Sequence, residues 1–268
     1  LVLVISTENF GLNSDLKQAE IWRVWELARG GGMSEIDWER YAIDYDVMCE
    51  ANPAYQQNVQ HLLDRLDQWQ LPASPKVLDI GAGTGSFIVA MSEKLSDAQF
   101  THLDFNAAMN AQALNKYTAL GIDIDIVQGA LADLDMPNYS QDLIICVNAL
   151  YAMSQPQAVL RRIRRLLKPN GRFFVIDFGR EMRVVKWSYH LYVALLQQQG
   201  ARGAAKWFWR NREVLRQNRI GMRAQQQGNY WLHSPRQFAY ALESNGWYIE
   251  EITTCYLGDC DLAVCRPF

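Results

Sequence analysis

Ten residues, Lys76-Val77-Leu78-Asp79-Ile80-Gly81-Ala82-Gly83-Thr84-Gly85, restrict the fold of this chain more than any other stretch. Val77, Leu78 and Ile80 make a short apolar run interrupted only by Asp79, as in a central parallel strand covered on both faces. The glycines that follow at alternate positions permit tight turns and close approach of a ligand. Ser86-Phe87-Ile88-Val89-Ala90-Met91 then reads as the opening of a helix. Strand, glycine loop and helix together form a nucleotide-binding corner, because the helix start offers free backbone N–H groups.

The surrounding pattern supplies a sheet for that corner. Between residues 76 and 179, strands are predicted at 76–80, 99–103, 122–127, 142–147 and 171–177. Helices are predicted at 85–95, 107–119 and 155–167, the last opened by a Ser154/Gln157 capping box. Strand and helix in alternation imply a parallel sheet with right-handed crossovers. About 70 mostly helical residues come first. A helix at 15–29 ends at Gly30-Gly31-Gly32, a second at 35–50 is capped by Ser34, and a third starts at Asn52-Pro53. Near the end, Ser234-Pro235-Arg236-Gln237 caps a helix that stops at Asn245-Gly246, and strands at 247–255 and 260–266 are joined through Gly258-Asp259. The expected organisation is a helical cap over 1–75, an α/β core over 76–179, a helical lid over 180–228 and the end of the core over 229–268.

Bulk properties exclude several classes. With 268 residues and a net charge of −3, the chain has no global basis for nucleic-acid binding. No apolar run approaches the roughly 18 residues of a membrane span. Leu1-Val2-Leu3-Val4-Ile5 is too short for the core of a signal peptide. The five cysteines lack metal-ligand spacing and read as reduced thiols of a cytoplasmic protein. The chain opens on Leu1 rather than methionine, which leaves room for a longer parent. Charge is nevertheless uneven. Residues 180–223 carry ten basic residues against Glu181 and Glu213, a local net charge of +8. They read as two amphipathic helices separated near Gly200–Gly203. The bland reading is a packed lid with a solvated basic face. The alternative is attraction to an anionic acceptor, an acidic carrier protein or an anionic membrane surface, which would place the protein peripherally on a membrane.

The glycine spacing narrows the ligand. A dinucleotide fingerprint wants glycine or alanine where Ser86 stands, and a triphosphate loop wants a lysine that is absent. What remains is D-x-G-x-G-x-G, followed 19 residues after Gly85 by Asp104 at the end of a strand, where a carboxylate can accept bonds from ribose hydroxyls. This pattern resembles motif I of the class I S-adenosylmethionine-dependent methyltransferases, and the resemblance continues in order. Phe105 and Met109 match the apolar positions of the family's D-L-S-x-x-M-L stretch. Gln128 to Leu134 is similar to its G-D-A-x-x-L segment, with Ala130 in place of the usual Asp. Gln141-Asp142 to Asn148 resembles its F-D-x-V strand, and Leu166 to Gly171 its L-K-P-G-G turn. Tyr230 to Ser234 is similar to a stretch of the quinone-biosynthesis methyltransferases.

The resemblance implies a Rossmann-like fold: a seven-stranded, mostly parallel sheet of order 3-2-1-4-5-7-6 with helices on both faces, a helical cap, and a lid after strand five. It implies S-adenosylmethionine as cofactor and no metal. Asp79, Gly81, Ala82, Gly83 and Gly85 would cradle the methionine half. Asp104 would hold the ribose. Phe105, Met109, Ala130 and Leu131 would flank adenine, Leu131 through its backbone N–H, and Asn148 would close the site. Asp79 has two readings, a bond to the loop backbone or a contact with the methionine amino group. Tyr41, Tyr45 and Tyr55 read as core residues, with Tyr45 also a candidate to line the site.

The implied activity is methyl transfer to O, N or C of a small, apolar or lipid-like acceptor: a secondary metabolite, quinone or lipid. Candidate bases are Tyr151, Asp177, Glu181, His190 and His233, with Tyr151, His190 and His233 named as catalytic candidates. For both histidines a structural role is the competing reading. Trp187, Tyr189, Tyr192, Trp207 and Trp231 would line the acceptor pocket. Asn148-Ala149-Leu150-Tyr151 lacks the prolines of the N-P-P-Y motif, so nucleic-base methylation is not expected. Arg161 to Lys168, at a helix C-terminus, reads as a solvated face. Two other functions fit the same residues: methylation of a peptide or carrier-bound chain docked by the basic lid, and non-catalytic binding of S-adenosylmethionine.

Overall fold

The computed structural model describes residues 37–268. The helix expected at 15–29 and the Ser34 cap lie outside them. Seven strands form one sheet: β1 Lys76–Ile80, β2 Gln99–Asp104, β3 Ile124–Gln128, β4 Gln141–Val147, β5 Leu167–Phe178, β6 Trp247–Cys255 and β7 Cys260–Pro267. Their order is β3-β2-β1-β4-β5-β7-β6. Strands β1 to β5 pair in parallel, and β7 runs antiparallel to both β5 and β6. This is the order and direction that the resemblance implies.

Side-chain alternation assigns the two faces. Leu143 and Ile145 of β4 and Phe174 and Ile176 of β5 pack with Tyr41, Leu62 and Phe87. Ile144 and Cys146, with Phe173 and Val175, pack on the other face with Leu160, Ile163, Phe238 and Trp247. Neighbours in sequence thus serve opposite layers, which is why the central strands read as unbroken apolar runs. Each fully buried Phe or Leu contributes about 2–3 kcal/mol through area removed from water.

The helices after β1, β2 and β4 span Ser86–Ser92, Ala107–Leu120 and Pro156–Leu166. Two helices, Trp38–Ala51 and Pro53–Leu66, precede the sheet, the second capped by the Asn52 side chain accepting from the Ala54 N–H. The capping box of Ser234 and Gln237 forms at the helix Pro235–Ser244. The box expected from Ser154 and Gln157 does not form. Gln155 takes the cap position in a left-handed conformation, φ 55°, and the Gln157 amide oxygen accepts from Asn245 Nδ2 instead. A long-range partner has outcompeted the local one.

The insert after β5 also departs from its two-helix expectation. The helix Val184–Arg210 is interrupted at Gly200 (φ 72°, ψ 175°), and a further helix, Arg212–Gln226, begins after the non-helical Asn211. Three segments result, with a small apolar cluster of Leu191, Leu195, Ala204 and Trp207 between the first two. Among the described residues, no helix is long and apolar enough to cross a membrane. All five cysteines are buried and unbridged.

Candidate active site

The glycine loop leaves β1 at the carboxyl edge of the sheet and is held by its neighbour β2. Gly81 N and Ala82 N donate to the Leu103 carbonyl at 2.8 and 3.2 Å. Gly83 N donates to Asp104 Oδ2 at 2.9 Å, and Asn106 N to Asp104 Oδ1 at 2.8 Å. The Asp104 carboxylate is therefore aimed by two backbone donors, and it retains acceptor capacity because a carboxylate has about four lone-pair sites.

Asp79 is different. It is 3% exposed and faces the same cavity, yet its carboxylate makes no hydrogen bond among the described residues. The loop N–H groups are bonded elsewhere, so the structure gives the backbone-bond reading of Asp79 no support. Burial, reinforced by the nearby Asp104 charge, pushes the Asp79 carboxyl well above the usual carboxylate range.

The cavity measures about 350 Å³. One end is lined by Asp79, Gly81, Ala82, Gly83, Asp104, Phe105, Met109, Ala130, Leu131 and Asn148. Gly85 does not line it. Its role is contact with Tyr117, taken up in the Discussion. Phe105 stands at the rim, largely exposed. Asn148 adopts φ 52°, and its side-chain oxygen lies 3.7 Å from Cys260 Sγ.

The other end is aromatic. Trp38, Tyr41, Tyr45, Tyr55, Tyr151, Phe178, Trp187 and Tyr256 converge on it from the first two described helices, the turn after β4, the end of β5, the insert and the β6–β7 turn. Burial raises the hydroxyl pKa of Tyr41, Tyr45, Tyr55, Tyr151 and Tyr256, so these phenols stay neutral. Among the described lining residues, the only ionisable acids or bases other than phenols are Asp79 and Asp104.

Polar contacts tie these segments together. Tyr41 Oη donates to Asn218 Oδ1 at 2.7 Å, and Asn52 Nδ2 to Tyr256 Oη at 2.8 Å. Tyr256 and Leu257 both adopt left-handed backbone, φ 50° and 60°, in a conformation that costs energy for residues other than glycine. Cations of the insert clamp this turn. Arg183 Nη2 and Lys186 Nζ donate to the Leu257 carbonyl at 2.8 and 2.9 Å, and Arg180 Nε to that of Gly258 at 3.0 Å. The fully buried Asp259 accepts from Arg183 Nε at 2.6 Å and Trp187 Nε1 at 2.7 Å. The same contacts thus hold both Trp187 and Tyr256 against the cavity.

Several expected residues lie elsewhere. His190 is exposed and does not line the cavity, which corrects both its catalytic and its buried-structural reading. Tyr189 and Tyr192 are exposed, Trp207 is packed inside the insert, and Trp231 lies against His233 and Phe238. Of the five aromatic residues expected to line the acceptor pocket, only Trp187 does so. His233 is buried behind the cavity, Nε2 3.7 Å from Asp177 Oδ2 and Nδ1 3.3 Å from Asp261 Oδ2, so the structure supports its structural reading. Tyr151 does line the cavity, and its backbone N–H donates to Asp177 Oδ1 at 3.0 Å. Phe178, Met182, Asn218 and Tyr256 were missed because each is an isolated residue whose position depends on a distant partner.

The Asp177–His233 pair makes a stability prediction. Burial raises the Asp177 carboxyl to about 6 despite His233. Burial alone would lower His233, but Asp177 and Asp261 more than offset it and the net direction is up. Both groups hold a proton more tightly folded than unfolded, so both contributions are present at low pH and lost as pH rises. The denaturant midpoint should fall between the ordinary Asp pKa and about 6, and again above the ordinary His value of 6.5. In Asp177→Asn the lower limb should become shallower, the buried Asp79 still contributing to it. A midpoint rising with pH across that window would refute the assignment.

Comparison with known proteins agrees with this geometry. Residues 77–171 match a family described as a methyltransferase domain. The chain is 27% identical over 185 residues to the protein of Mycobacterium ulcerans named "Probable phthiotriol/phenolphthiotriol dimycocerosates methyltransferase 2", covering 67% of this chain and 71% of that one. It is 30% identical over 118 residues to the ubiquinone/menaquinone biosynthesis C-methyltransferase UbiE of Burkholderia vietnamiensis, covering 44% of this chain and 49% of the relative. Among solved structures, a SAM-dependent methyltransferase from Aquifex aeolicus superposes with a TM-score of 0.56 at 16% identity, over 86% of this chain and 98% of that one, a likeness of fold. A methyltransferase domain matched from β1 into β5, within a sheet of this order and around this cavity, agrees with the fold and motif order of the class I S-adenosylmethionine-dependent methyltransferases.

Proposed function

We propose that this enzyme methylates an uncharged, apolar or lipid-like acceptor held in the aromatic end of the cavity. One observation carries the reading: no lysine, arginine or histidine is among the described lining residues, and the phenols there are neutral. Such a wall offers nothing to offset the desolvation of a carboxylate or phosphate, so an anionic acceptor is disfavoured. The names of the two relatives, one a dimycocerosates and one a quinone methyltransferase, support the same chemistry.

The glycine end fits S-adenosylmethionine. Asp79 is an unpaired carboxylate suited to the cationic methionine end, Asp104 has lone pairs left for vicinal ribose hydroxyls, and Met109 and Leu131 offer apolar contact to a purine. When bound, the cofactor supplies a methyl group already activated on sulfur. The chain's own residues then position an acceptor and exclude water. Tyr151 can donate a hydrogen bond to an acceptor oxygen. A base from the described lining is not required where the acceptor atom is a neutral amine, which attacks through its lone pair and gives up its proton to solvent after transfer.

Asp79 makes this testable without knowing the acceptor. Its raised pKa means that a cationic ligand must displace a proton, so affinity should increase with pH until Asp79 is ionised. Calorimetry of S-adenosylmethionine binding in buffers of different ionisation enthalpy, repeated from acid to neutral pH, should show proton release on the acid side of the Asp79 titration, and Asp79→Asn should abolish it. Zero release at every pH, with an affinity independent of pH, would remove Asp79 from this role. For the acceptor, labelled donor should be incubated with the protein and a lipid extract. Label in the organic phase supports the reading. Label confined to acid-precipitable protein favours a carrier-bound chain, and binding without transfer favours a non-catalytic role.

A further inference from the structure

The basic insert separates into two sets of cations. Arg180, Arg183 and Lys186 are bonded to the β6–β7 turn and its carboxylates. Arg202, Lys206, Arg210, Arg219 and Arg223 are exposed, and their side chains make no ion pair or hydrogen bond among the described residues. On the helix Arg212–Gln226, Arg212, Arg216, Arg219 and Arg223 follow at intervals of four, three and four, which places them on one face, and all are exposed. Like charges at these spacings weaken a helix, and among the described residues Arg216 alone of the four has an acidic partner, Glu213. The stripe therefore works against the helix that bears it.

A second, apolar stripe lies on another helix of the insert. Val185, Tyr189, Tyr192 and Leu196 repeat at four, three and four along the first segment of the insert, 85%, 69%, 39% and 39% exposed. Trp209 is 70% exposed and shares a helix face with Arg202 and Lys206. Large apolar side chains repeated along an exposed helix face mark an interaction surface.

We propose that the outer surface of this insert docks on an anionic lipid bilayer. Unpaired cations supply the attraction to anionic headgroups. The apolar stripe, with Tyr and Trp whose rings are apolar and tips polar, suits the boundary between headgroups and acyl chains. Cations alone would fit an acidic protein equally well, and the second, apolar stripe is what favours a bilayer. Docking does not depend on which acceptor the cavity takes.

The test is co-sedimentation of the full chain with vesicles of phosphatidylcholine alone or mixed with phosphatidylglycerol. Binding is expected to the mixed vesicles, at least about tenfold stronger than to phosphatidylcholine, and weakened by salt. Arg219→Glu/Arg223→Glu and Tyr189→Ser/Leu196→Ser should each reduce it at least about tenfold, while S-adenosylmethionine affinity, measured by calorimetry, stays unchanged and reports an intact fold. Equal or absent binding to the two vesicle types overturns the proposal. So does full retention by either double variant. If only the arginine pair matters, the surface reads charge alone and fits an acidic protein.

Discussion

Asp104→Ala should weaken S-adenosylmethionine binding roughly a hundredfold, about 2.7 kcal/mol, in a calorimetric titration. The cost has two sources. A carboxylate accepting from ribose hydroxyls makes charge-assisted bonds of about 1.5–3 kcal/mol each. The same carboxylate also receives Gly83 N and Asn106 N, so its removal leaves two backbone donors without their partner and loosens the loop. Asp104→Asn separates the contributions. Its amide oxygen can keep one backbone bond but not both, and the charge is lost. An intermediate loss of affinity is expected. A fall of less than about threefold for Asp104→Ala, under roughly 0.7 kcal/mol, would mean that the ribose is held elsewhere.

Gly85→Ala should largely prevent folding, whereas Gly83→Ala in the same loop should cost about 1–2 kcal/mol. Both glycines have positive φ, 79° and 57°, and both substitutions pay the left-handed penalty. Only at Gly85 would the new Cβ meet a neighbour, 2.0 Å from Tyr117 Oη and 2.5 Å from its ring. Tyr117 cannot retreat. It is fully buried, and its hydroxyl donates to His102 Nδ1 at 2.9 Å. Burial lowers the His102 pKa and keeps it neutral, so Nε2–H donates to Asn110 Oδ1 at 2.9 Å. Asn110 Nδ2 in turn donates to the Asp104 carbonyl at 3.1 Å. The close approach at Gly85 is thus the first link of a chain that ends at the strand terminus bearing Asp104. Soluble yield and thermal melting of the two variants check the prediction. Equal melting temperatures would refute it.

The cofactor end of the site was legible because it is local. Asp79 to Gly85 occupy one strand-loop-helix unit, and Asp104 ends the next strand, so spacing along the chain carries the geometry. Even there, sequence gives no way to tell that Gly85 serves Tyr117 rather than the cavity. The acceptor end was poorly legible because it is assembled. Tyr41, Tyr151, Trp187 and Tyr256 lie on four separate segments, and each shows only an aromatic residue in an apolar neighbourhood. Composition cannot say which aromatic residues converge. Trp207 packs inside the insert and Tyr189 faces outward, although both share its pattern with Trp187.

By itself, the sequence determined the alternating sheet, the glycine corner and its carboxylates, because hydrophobic periodicity and backbone freedom act over a few residues. Only the tertiary structure decided how polar and charged side chains were used. It drew Gln157 to Asn245 rather than to Ser154, placed His233 between Asp177 and Asp261, and divided the cations of the insert between a buried latch at Asp259 and an open surface. The reason is the same in each case. A polar group is committed by whichever partner folding brings to it out of water, and that partner is rarely close in sequence.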